Sequence, residues 1–119
     1  MNYLDTYALM EINKKNPHYV EIKSTPFKVC DITLSEFYGV VLREQGLQRA
    51  DYWLDNLKPF SEPTSLELLT GAIRFRHENK SLNLSFPDAV GYIHSKTNHG
   101  TFVTGDKSFE KLTHVKYIK

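Results

Sequence analysis

Four carboxylates stand where the sequence changes character. Asp5 ends the apolar run in "NYLD", Glu36 closes "TLSE" ahead of an apolar helical pattern, Asp88 closes "SFPD", and Asp106 follows the apolar "TFVTG". Each has a plain conformational reading. "TLSE" has the form of a capping box in which Thr33 caps and Glu36 reaches back, Ser85 with Asp88 is a looser version of it, and Gly105-Asp106 bends easily. Asp5 has no such partner in sequence beyond Thr6. If the four share one location, the chemistry changes, because uncompensated carboxylates raise one another's pKa rather than stabilise a fold. A cation is then expected among them. Oxygen-only donors suit a hard ion, Mg²⁺ or Mn²⁺. The histidines offer no zinc pattern, since His94 and His99 are five apart and Cys30 is the only cysteine.

Whether the acids meet depends on the elements that carry them. Five short apolar segments read as strands: Asn2–Leu4, Lys28–Ile32, Leu57–Phe60, Thr101–Val103 and Val115–Ile118. Helical patterns fill the intervals. The first helix covers Tyr7–Asn13 and Pro17 opens a second, short one. A third begins after Thr33 and buries Leu34, Phe37, Val40 and Val41 at helical spacing, with Gly39 implying close packing. "LQRADYWLDNL" is amphipathic, with Leu47, Ala50, Trp53, Leu54 and Leu57 inward; "TSLELLTGAIRFRHE" follows with Thr64 and Glu67 as a capping box. A last helix runs from Pro87 to His99 and stops at Gly100. Strands alternating with helices imply an α/β fold with a mainly parallel sheet and helices on both faces. In such sheets the working crevice lies outside the carboxyl ends of the strands. All four acids map to that edge.

Composition narrows the classes. At 119 residues, 40% of them hydrophobic, the chain is long enough for one core and too short for two, so residues 1–119 are read as a single domain. Fifteen Lys and Arg against fourteen Asp and Glu leave a charge of +1, which excludes a global basic field of the nucleic-acid-binding kind. The single cysteine reads as a small core residue in a reducing interior. With no signal-peptide pattern and no long apolar run, a cytoplasmic location is expected. Arg74, Arg76 and Lys80, close to a helix C-terminus, read as solvated charges.

The motifs "YLDTYALME", "ITLSEFYG", "FPDAVGYIHS" and "GTFVTGDKSFEKL", in that order over nearly the whole chain, resemble a PIN domain, and particularly the VapC-type toxins of type II toxin–antitoxin pairs. The resemblance implies a three-layer α/β/α sandwich around a five-stranded sheet and a Mg²⁺- or Mn²⁺-dependent endoribonuclease. By the resemblance Asp5, Glu36 and Asp88 are the principal metal ligands, Asp106 is an outer or second-metal ligand, and Thr6 and Thr104 are accessory hydroxyls. Lys107, beside Asp106, is the named candidate for an RNA phosphate. At Tyr7 the sequence departs from the commoner pattern, where many relatives carry a small polar residue. VapC-type relatives imply a homodimer and an antitoxin partner, for which the Tyr52-Trp53 pair offers a contact.

Three other readings compete. One is a housekeeping RNA-processing PIN nuclease without an antitoxin. Another is a receiver-like phosphoacceptor, against which stand the lack of an adjacent acid pair near the first strand and of a lysine ending the last strand before a helix. The third is a non-catalytic interaction module whose acids only cap helices.

Overall fold

The computed structural model describes residues Met1 to Lys119. Strands β1 (Asn2–Leu4), β2 (Phe27–Cys30), β3 (Ser61–Glu62), β4 (Thr101–Thr104) and β5 (Val115–Tyr117) form one sheet in the order β3-β2-β1-β4-β5. Every pairing is parallel. The helices are α1 (Thr6–Asn13), α2 (Val20–Ser24), α3 (Asp31–Gln45), α4 (Leu47–Leu57), α5 (Leu66–Glu78) and α6 (Phe86–Thr97). The chain steps outward from β1 to β2 and β3, then returns to the other side of β1 for β4 and β5. The strand order therefore reverses at β1, which makes the β1/β4 junction the topological switch point of the sheet.

Strand alternation divides the core into two. Leu4, Val29 and Val103 meet Ala8 and Leu9 of α1, Phe37 and Val41 of α3, and Ala50 and Leu57 of α4. Their neighbours Cys30 and Phe102 belong to clusters with Ala72 of α5 and with Ala89, Val90 and Tyr92 of α6. Helices thus cover both faces, giving an α/β sandwich. No helix is long and apolar enough to cross a membrane.

Several local expectations are corrected. β2 feeds directly into α3, which starts at Asp31, so Thr33 is inside the helix and caps nothing. Its buried hydroxyl lies 3.1 Å from Cys30 Sγ. Asp31 instead accepts from Thr64 at both N (3.2 Å) and Oγ1 (2.8 Å), tying the start of α3 to the loop before α5. Thr64 being so engaged, Ser65 caps α5 by accepting the Leu68 N–H at 3.1 Å. Leu57–Phe60 is not a strand: Leu57 ends α4 and Lys58–Phe60 make a 3₁₀ turn around Pro59, which has no N–H to offer a ladder. Gly39 is exposed with open space where a Cβ would stand, so it marks no close packing. Leu47 faces solvent. α6 stops at Thr97, and His99, not Gly100, takes the left-handed conformation at φ 57°. Gly100 is required for a different reason, since its Cβ would stand 2.2 Å from the Tyr3 ring.

Candidate active site

β1 and β4 run side by side with Leu4 opposite Val103, so Asp5 and Thr104 leave the sheet together. The Asp5 N–H still reaches Val103 O at 3.3 Å. Its carboxylate then binds twice: Oδ1 accepts the Ala8 N–H at 2.8 Å as the N-cap of α1, and Oδ2 accepts the Thr104 hydroxyl at 2.5 Å. Thr104 Oγ1 in turn accepts the Asp106 N–H at 3.0 Å. Asp106 Oδ1 accepts the Ser108 N–H at 2.9 Å and caps the 3₁₀ turn Lys107–Phe109. The Thr6 hydroxyl donates to Glu36 Oε1 at 2.5 Å, which ties the first turn of α1 to the second turn of α3. α6 enters at the same edge, with the Asp88 N–H on Ser85 Oγ at 3.2 Å. Gly91 of α6 lets the helices approach, because a Cβ there would stand 3.2 Å from Thr33 Oγ1.

The electrostatics join all four acids. Burial pushes the Asp5 carboxyl up to about 7; the Thr104 hydroxyl and the Ala8 N–H hold it down, and Asp88 and Asp106 push it further up. Asp88 is raised to about 6, again first by burial, with the Ser85 hydroxyl opposing and Glu36 and Asp106 adding to the rise. No basic side chain neutralises the group, since the ion pairs of the molecule are Lys14–Glu11 and His94–Glu62. Nor do the acids form a finished cage: no three of them converge at ligand spacing. Asp5 is turned into its cap and onto Thr104, and Glu36 onto Thr6. The donor set of uncompensated, partly desolvated oxygens could hold a hard divalent cation.

Thus Asp5, Glu36, Asp88 and Asp106 lie at one sheet edge, with Thr6 and Thr104 bonded to two of them. Lys107 is exposed on the turn after Asp106. Tyr7 packs against Gly105, where a Cβ would meet its ring at 2.1 Å. That contact was not legible in the sequence, although Gly105 between Thr104 and Asp106 was its signal. Arg49 lies over the rings of Tyr52 and Trp53, at 5.3 and 5.7 Å, and bonds Asn13, so it is a packing residue. Trp53 meets Phe37 edge-on and belongs to the core margin.

The chain belongs to the PIN domain family, whose model matches residues 3–115. Among solved structures, a toxin–antitoxin complex from Klebsiella pneumoniae superposes with a TM-score of 0.77 at 18% identity, covering 99% of this chain and all of that one. Mycobacterium tuberculosis VapC20, a toxin that cleaves the sarcin-ricin loop, gives 0.79 at 15% identity over 95% of each chain. A protein from Pyrobaculum aerophilum gives 0.68 at 18% identity over 98% of this chain and 87% of that one. At these identities the likeness is one of fold. No curated protein sequence matches the chain.

Proposed function

We propose that the chain, acting as one unit in the cytoplasm, is a metal-dependent endoribonuclease and the toxin of a type II toxin–antitoxin pair. The observation that carries the reading is the group of four mutually repelling carboxylates, without a basic counter-charge, at the switch point of a PIN sheet. Asp5, Glu36 and Asp88 are the residues that would hold Mg²⁺ or Mn²⁺, with Asp106 outermost. When bound, such an ion supplies the Lewis acidity that makes water nucleophilic toward a phosphodiester and offsets charge developing on phosphorus. Thr104 holds Asp5 Oδ2 and Thr6 holds Glu36 Oε1, so both carboxylates keep a fixed orientation between turnovers. No side chain is needed as nucleophile.

Asp5→Asn and Asp88→Asn keep shape and remove charge. Each is expected to lower Mg²⁺- or Mn²⁺-dependent cleavage of single-stranded RNA by at least about a hundredfold, on the scale of losing one group aimed at transition-state charge. The check is a gel assay with and without EDTA. Near-wild-type cleavage by Asp5→Asn overturns the mechanism.

The antitoxin reading is supported by the Klebsiella complex and by an apolar hollow of about 240 Å³ lined by Leu9, Ile12, Phe27, Trp53, Leu57 and Phe60. Trp53 is the only tryptophan, so its fluorescence reports directly on occupancy of that hollow. Adding the product of the adjacent reading frame should shift its emission and silence cleavage. Light scattering of the free chain tests the homodimer.

A further inference from the structure

The end of α5 and the segment after it line an open hollow of about 360 Å³ with Arg76, His77, Asn79, Lys80, Asn83 and Leu84. No carboxylate lines it. Neither Arg76 nor Lys80 takes part in an ion pair, since the pairs in the chain are Lys14–Glu11 and His94–Glu62. Favourable placement near the C-terminal dipole of α5 explains basic residues there in general. It does not explain the geometry of Arg76, whose Nε donates to Leu84 O across the loop at 2.9 Å rather than to a carbonyl of its own helix. That bond fixes the guanidinium in the wall of the hollow and leaves its terminal N–H groups to bind an anion as a fork. His77 adds an imidazole, which carries an N–H in either tautomer, and Lys80 adds a mobile ammonium.

One residue of the hollow lies four positions along the chain from a carboxylate of the site. Leu84 immediately precedes Ser85, the cap of the helix whose first turn carries Asp88. Four residues of chain span at most about 14 Å, and the turn of helix between them shortens this. An RNA strand brought to the four acids carries negative charge into a region that is already negative, so its backbone needs cations on either side of the reacting phosphate. Lys107 stands on the β4 side. Arg76, His77 and Lys80 stand on the α6 side.

We infer that this hollow is a phosphate subsite, seating a phosphodiester of the RNA strand close to the one that is cleaved. The inference rests on the ribonuclease reading, and the experiment separates the two. Short single-stranded RNA is titrated against the Asp5→Asn protein, with and without Lys80→Ala and His77→Ala, over a range of salt. Cleavage is measured for the same substitutions in the protein with Asp5 intact. Lys80→Ala is expected to weaken binding about threefold to tenfold and to lower the slope of log K against log[salt] by about 0.7, as for one lost single-strand phosphate contact. His77→Ala weakens binding in the same range. KM should rise while kcat changes less than about twofold, the signature of lost uniform binding. Lys80→Arg should restore binding and Lys80→Glu should weaken it further. Unchanged melting curves exclude a folding defect. If the double substitution leaves affinity and salt slope unaltered while the wild type cleaves RNA, the subsite is overturned and the nuclease stands. A wild type that neither binds nor cleaves RNA overturns both. If Lys80→Glu spares RNA and abolishes antitoxin binding, the hollow serves an acidic peptide and the inference fails.

Discussion

Asp5 carries two loads on one carboxylate, since it caps α1 through Ala8 and is repelled by Asp88 and Asp106. Its carboxyl rises to about 7 in the folded chain, and that of Asp88 to about 6, against an ordinary value of 3.8. Between roughly pH 4 and 7 the folded, metal-free protein therefore holds more protons than the unfolded chain, and its stability falls as pH rises through that window. Melting in chelator should be higher at pH 5 than at pH 8, by an amount on the order of 1–3 kcal/mol. Asp88→Asn should flatten the portion near pH 6. Stability that climbs across the window contradicts the crowding of the four acids. Metal-dependent cleavage should run the other way and rise through pH 6 to 7, as the ligands deprotonate. Thr104 gives a second test at this scale, because it both donates to Asp5 Oδ2 and accepts the Asp106 N–H. Thr104→Val keeps the shape and strands both partners, so it should destabilise by about 1–3 kcal/mol, while Thr104→Ser should cost little. Urea denaturation reads the difference.

The elements converge on the acids only because backbone approaches backbone at a few points. Gly105 is one: a Cβ there would meet the Tyr7 ring at 2.1 Å and the Ile118 carbonyl at 2.6 Å. Gly105→Ala should destabilise by about 1–3 kcal/mol, in the range of overpacking. Adding Tyr7→Ala should recover only part of this, since the Ile118 carbonyl cannot move aside as a side chain can. Full recovery in a thermal melt would place the strain in the ring alone. The parallel sheet apart from its third strand, the helices and the placement of four acids at one sheet edge were legible in the sequence because strand ends and helix starts are local signals. Thr6 and Thr104 were named as accessory hydroxyls by the resemblance, but which acid each one holds was not. "TLSE" reads as a capping box, yet β2 runs straight into α3 and Glu36 is held by Thr6, thirty positions away. Thr64 likewise reads as a cap and is held by Asp31, thirty-three positions away. Arg76 and Lys80 read as solvated charges and are exposed, yet nothing local tells that Asn83, at φ 53°, turns the chain so that Leu84 O meets Arg76 Nε. Long-range pairs of this kind have no signature in a single sequence.

Across the whole molecule a formal charge of +1 conceals a separation of charge, with four acids gathered at the carboxyl ends of β1, β2 and β4 and a hollow lined by Arg76, His77 and Lys80 at the end of α5. A fold that concentrates repulsion at its switch point gives up stability when empty and regains it on binding a cation. Divalent metal should therefore raise the melting temperature of the wild type, by the equivalent of about 2.7 kcal/mol at roughly a hundred times its Kd. Asp88→Asn removes one charge from the group, so in chelator it should melt at or above the wild type and should gain much less from metal. Helix capping predicts the reverse. Asp88 lies in the first turn of α6, where loss of its charge against the helix dipole lowers stability by about 0.5–1 kcal/mol, equally with and without metal. The two accounts differ in sign for the chelated mutant and in metal response for the wild type, so four melting curves, each protein in EDTA and in Mn²⁺, decide between them. An Asp88→Asn protein that melts below the wild type in EDTA, with neither protein moved by Mn²⁺, would leave the four acids as caps and the chain without a metal site.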